Sequence, residues 1–92
     1  MIIPLNLWAQ SSGDSYLQQG KSCWENLELE KAIQALTTAL THDLSTQNRI
    51  DAHKLLAFCY ATQRESDKAK EQFVNIIKIN PNFTKEVSLL HI

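Results

Sequence analysis

The sequence predicts an all-α protein of four main helices arranged as two tandem antiparallel helical hairpins. Three observations lead there. Apolar residues recur at steps of three and four in four successive segments, the period of a helix face and not of a strand. Short polar stretches such as Asn26 to Glu28 and Thr41 to Asp43 separate the segments. The second pair of segments also repeats the first at a constant offset of 37 residues: Ala32, Leu36 and Ala39 correspond to Ala69, Phe73 and Ile76, and Gly20 and Cys23 to Ala57 and Tyr60.

Taken in order, Ser11-Ser12-Gly13-Asp14 reads as a loop ending in a helix cap, because an Asp or Ser side chain accepts a bond from an unpaired N–H of a first turn. The first helix is expected from there. Tyr16, Gly20, Cys23 and Leu27 fall on one face of it, and Leu17, Lys21 and Trp24 on a neighbouring face. The second helix carries Leu29, Ala32, Ile33, Leu36 and Leu40 as its apolar stripe, with Ala35 and Ala39 beside it. It ends near Thr41 to Asp43, where His42 is suited to the partial negative charge of the last carbonyls. Ser45 and Thr46 cap a third helix running to about Gln63. This helix is apolar nearly all round, which predicts a central position with neighbours on several sides. Ser66-Asp67 opens the fourth, whose buried stripe is expected at Ala69, Phe73, Ile76 and Ile77, and Pro81 prevents its continuation.

Composition narrows the function classes. The 92 residues suit one globular domain, and a domain of that size has a limited core that benefits from a partner or self-association. Nine basic against ten acidic side chains give a net charge of -1 with no run of like charges, so nucleic acid is not an expected partner and a DNA-binding helix-turn-helix is disfavoured. No apolar stretch reaches the roughly 18 residues needed to cross a bilayer as a helix. Cys23 and Cys59 have no Cys-x-x-Cys partner and no His at ligand spacing, so no metal site is expected. Both are read as small buried side chains, with a disulfide between them left open. His42, His53 and His91 stand in separate segments, no glycine-rich phosphate loop exists, and neither an enzyme nor a cofactor is expected.

Leu56-Ala57-Phe58-Cys59-Tyr60, followed by Ser66-Asp67-Lys68-Ala69-Lys70-Glu71-Gln72-Phe73 and then Ile79-Asn80-Pro81, resembles a complete tetratricopeptide repeat, whose period is about 34 residues. The first repeat departs from that pattern, with Gln19 where a large aliphatic residue is usual and Leu44 where the closing proline is usual. The resemblance covers Asp14 to Pro81. It implies a right-handed superhelix of stacked hairpins that holds a protein or peptide in a groove lined by the first helix of each. The groove residues it implies are Leu17, Lys21 and Trp24 in the first repeat, flanked by Asp14 and Glu25, and Asp51, Lys54, Phe58 and Thr62 in the second. Trp24 and Phe58 are then either aromatic anchors for a partner or core residues covered by a neighbouring segment. Two repeats are fewer than the three that usually bury a continuous core, so terminal segments or a second copy are expected to add cover.

The expected organisation is therefore an apolar segment over residues 1–13, a two-repeat domain over 14–81 and a tail over 82–92. Met1 to Ala9 is open to three readings: a truncated signal peptide, a flexible tail, or a segment docked on the domain. Leu5, Leu7 and Trp8 at one end and Val87, Leu89, Leu90 and Ile92 at the other are candidates for filling the groove, within one chain or across a homodimer. The signal-like start and a tail similar to those of bacterial envelope proteins point to the periplasm or cell envelope, with the cytoplasm as the alternative. A small assembly factor or pilot-like subunit of a secretion machine is the alternative to a general binding scaffold.

Overall fold

A computed structural model describes residues 5–83, with side-chain surroundings from residue 12 onward. The signal-remnant reading of Met1 to Ala9 and the apolar groups at Val87, Leu89, Leu90 and Ile92 lie wholly or largely outside what it describes. Four helices make up the described chain: α1 (Leu5–Glu25), α2 (Leu29–Leu40), α3 (Thr46–Thr62) and α4 (Ser66–Ile79). No strand occurs among the described residues. α1 packs along α2 and α3 along α4, so the molecule is two helical hairpins, and α3 touches the other three helices. The near-continuous apolar surface of α3 is thereby explained by its central position.

The expected loop at Ser11 to Asp14 is corrected by the structure, because α1 runs through it without a break from Leu5. Serine, glycine and aspartate are weak helix formers, yet each costs at most about 1 kcal/mol against alanine, which tertiary packing overrides. Gly13 is there for close approach. A Cβ on it would sit 2.8 Å from Leu44 Cδ2 and 3.0 Å from His42 Cβ, so α1 lies directly on the chain linking the two hairpins. Asp14 does not cap its own helix; its Oδ1 accepts from Asn48 Nδ2 at 3.0 Å, tying α1 to the first turn of α3. His42 stacks its ring on Tyr16, with centroids 5.5 Å apart.

α3 begins where its sequence indicates, since the Ser45 hydroxyl accepts from the Asn48 backbone N–H at 3.1 Å. The core joins the hairpins through Leu17, Ala32, Leu36 and Ala39 on one side and Ala52, Leu56 and Cys59 on the other. Small residues set the spacing: Ala32, Ala39 and Ala52 are fully buried, and a Cβ on Gly20 would come within 2.5 Å of Leu36. α1 can lie on α2 at that point only because residue 20 lacks a side chain. Both cysteines are free thiols, Cys59 buried and Cys23 half-buried.

The 37-residue offset extends to individual backbone bonds. In the first turn Leu27 N donates to Trp24 O and Glu28 N to Cys23 O; in the second Arg64 N donates to Ala61 O and Glu65 N to Tyr60 O. Leu27 and Arg64 both take left-handed backbone, with φ of 60° and 65°. The ion pairs Lys31–Glu28 and Lys68–Glu65 match as well, at 3.0 and 3.2 Å. One turn chemistry is thus used twice: the six-to-one bond to the third residue from the helix end closes each α-helix with a left-handed residue.

Phe73 and Ile77, expected in the buried stripe of α4, are corrected: they are 36% and 37% exposed, and only Ala69 and Ile76 of that stripe are buried. Their counterparts on α2, Leu36 and Leu40, are fully buried and half-buried. The difference follows from position. α2 is packed between α1 and α3, whereas among the described helices α4 has only α3 against it.

Candidate partner-binding face

The first helices of the two hairpins meet through aromatic side chains. Trp24 near the end of α1 and Phe58 on α3 have ring centroids 5.9 Å apart and planes tilted by 31°, within the range of favourable aromatic pairing. Trp24 is half-buried and rests on the core, while Phe58 stays 44% exposed. The two alternatives for this pair therefore resolve unequally. Trp24 is the inner member, seated on the core, and Phe58 the outer one, open to solvent.

Around this pair the sequence-predicted residues divide. Lys21, Asp51 and Lys54 are half-buried and Thr62 is exposed. Leu17 is a correction: it is only 3% exposed and belongs to the core that joins the hairpins, because the α1 face carrying it turns against α2 and α3. It supports the face without presenting surface to a partner. Asp51 Oδ1 accepts from Gln47 Nε2 one turn earlier at 3.0 Å. The Thr62 hydroxyl donates to the Phe58 carbonyl at 2.7 Å, a local bond typical of a helix end. Lys54 Nζ lies 5.7 Å from the Phe83 ring centroid and so leans toward the end of the second hairpin and away from Lys21. Asp14 is engaged with Asn48, and Glu25 is exposed at the last residue of α1.

Leu27 was not among the expected site residues. Among the described residues it is the most exposed of the large apolar side chains, at 72%, and it stands in left-handed backbone just after Trp24 and Glu25. A Cβ-bearing residue there costs about 1–2 kcal/mol that glycine would avoid. The apolar periodicity assigns Leu27 to the buried face of α1, since 20, 23 and 27 share a stripe. Its place inside the short polar stretch Asn26 to Glu28 and its offset to Arg64 are the features of the sequence that mark it as a turn position.

A hollow on the surface lies elsewhere, between α1 and α2, bordered by Tyr16, Cys23, Lys31, Gln34 and Thr38. It is wide open, and Lys31 at its border is held above the ordinary lysine range by its hydrogen bond to Glu28 and then by that carboxylate's charge. That pairing belongs to the turn. The aromatic pair is the better candidate because it joins both hairpins and carries exposed apolar area. Comparison with protein-family profiles, with curated proteins and with solved structures finds no match for this chain.

Proposed function

We propose that the chain is a protein-binding module, tetratricopeptide-like in design, that holds a peptide or a segment of a protein partner against the face formed by α1 and α3. The observation that carries this reading is the Trp24–Phe58 pair, in which a half-buried aromatic seated on the core supports an exposed one across the two hairpins. Aromatic anchors give large contact area with few rotors to immobilise and dominate the energetics of protein interfaces. At helical spacing Lys21 stands about one turn from Trp24, Lys54 and Thr62 about one turn to either side of Phe58, and Asp51 a further turn back, so the two helices offer a peptide groups of both charges without selecting an acidic or a basic one. Leu27 adds a second exposed apolar group at the end of α1.

The test is selection of short random peptides on the intact chain, followed by titration of the selected peptides against variants. Peptides that use this face lose about tenfold or more in affinity, 1.4 kcal/mol, with Phe58→Ala. They bind Glu71→Ala, an exposed change on α4, as they bind the parent. Far-UV circular dichroism establishes that both variants keep their helices. Equal binding by Phe58→Ala, or failure of the parent to enrich any peptide, removes the reading.

A further inference from the structure

The 37-residue repeat bears on what each side of the stack can accept. On α3 the face turned to the first hairpin is apolar: Ala52, Leu56 and Cys59 are buried in the shared core and Leu55 packs against it. The same four positions of α1 are Ser15, Gln18, Gln19 and Ser22, all exposed. A second copy therefore does not extend the stack by laying its α1 on α4 as α3 lies on α2, because that contact would bury hydroxyl and amide groups against an apolar surface. At the other side of the molecule α4 leaves Val74 and Ile77 48% and 37% exposed. Phe73, next to them, has Phe83 stacked on it with centroids 6.3 Å apart, and Lys54 of α3 reaches over the Phe83 ring. The open strip is thus the edge of α4 that faces away from α3.

We infer that this strip is the contact of a homodimer, in which α4 of one chain lies antiparallel on α4 of a second copy about a two-fold axis. Charge selects a second copy as the occupant. Glu71 and Lys78 run along the Val74 side of the strip, seven residues apart and both exposed. A two-fold contact has to be self-complementary, and antiparallel helices bring the same side of each together. Glu71 then faces Lys78 of the second copy while Lys78 faces its Glu71, in the register that seats Val74 beside Ile77. One row of charges so yields two ion pairs. The strip carries three large apolar side chains, few against the roughly 20–30 residues per side of a stable complex, so the dimer is weak and depends on concentration. It leaves the α1–α3 face free in both copies.

Sedimentation velocity of the full chain at concentrations up to about 1 mM, the weak end of specific affinities, tests this. The average mass should rise toward that of a dimer. Glu71→Lys and Lys78→Glu each set like charges opposite one another at both pairs, and each should raise the dissociation constant tenfold or more. The two changes in one chain reverse the row and should return it to within threefold of the parent. An equal mixture of the two single variants should associate as well as the parent, because a row of lysines then meets a row of glutamates. Gln18→Lys, on the outer face of α1, should leave association within twofold, and far-UV circular dichroism should show unchanged helix in every variant. A chain that stays monomeric at 1 mM, as it would with a segment of its own over the strip, overturns the inference. So does a dimer that Gln18→Lys weakens, or one that neither the double change nor the mixture restores.

Discussion

Left-handed backbone at residue 27 illustrates how little a side chain's type says about its environment here. Leucine has poor reasons to adopt φ of 60°, yet the hairpin closes through that residue, and Arg64 repeats the geometry in the second turn. Leu27→Gly should therefore stabilise the fold by about 0.5–1 kcal/mol, the relief of strain less the extra freedom glycine has when unfolded. Thermal unfolding should show it as a rise of a few degrees in the midpoint. A fall would mean that the leucine packs in the native state despite its exposure. Cys59 behaves in the opposite sense. Burial pushes its thiol up from the ordinary range, so the neutral form belongs to the folded state. Its contribution to stability is complete below the unfolded thiol pKa of about 8.5 and is lost as pH rises from there through the folded value. Alkaline unfolding monitored by circular dichroism should begin in that window and lose this component in Cys59→Ala. A thiol reagent should modify Cys23 in the folded chain and Cys59 only on unfolding.

Among the elements, α1 shows most clearly how packing overrides local preference. Its two glycines stand seven residues apart on one face, and both are places where another part of the chain comes within van der Waals distance. Gly20→Ala would raise helix propensity by about 1 kcal/mol on an exposed helix. Here the new methyl would meet Cγ and Cδ2 of Leu36 at 2.5 Å, and Leu36 is fully buried with no room to turn aside. Overpacking of about 1–3 kcal/mol outweighs the gain, so Gly20→Ala should lower the urea midpoint with an unchanged slope. Combining it with Leu36→Val should restore part of the loss. The repeat equivalents in the second hairpin are Ala57 and Phe73, and that ring is partly exposed and not confined as Leu36 is. The extents of α2, α3 and α4 were legible in the sequence because their apolar stripes, the Ser45 cap of α3 and the Pro81 breaker after α4 are local. The start of α1 was not, because Ser11 to Asp14 carries loop chemistry that only the contact with His42 and Leu44 overrides.

Across the whole molecule, the hairpins share one core: Leu17, Leu36 and Ala39 of the first pack with Ala52, Leu56 and Cys59 of the second. Neither hairpin buries that surface alone. Unfolding should therefore be a single cooperative event, with the tryptophan signal, which includes the α1–α3 junction at Trp24, coinciding with far-UV circular dichroism throughout a urea titration. Separate transitions would show that the hairpins are independently stable. The candidate face is a product of the same stacking, since Trp24 and Phe58 meet only when α3 lies beside α1.

From the sequence alone follow the helical class, the four segments, the Ser45 cap and the 37-residue repeat, because each depends on interactions between residues a few positions apart or on a pattern repeated along the chain. The tertiary structure alone decided which positions on those stripes are covered. Leu17 and Phe58 lie on the same repeated stripe of the first helices, about one turn apart, yet one is core and the other half open; Leu36 and Phe73 are repeat equivalents, yet only the first is sealed. Periodicity states which residues share a face, whereas burial depends on what lies against that face, and in a stacked array the neighbour of each helix is set by its place in the stack.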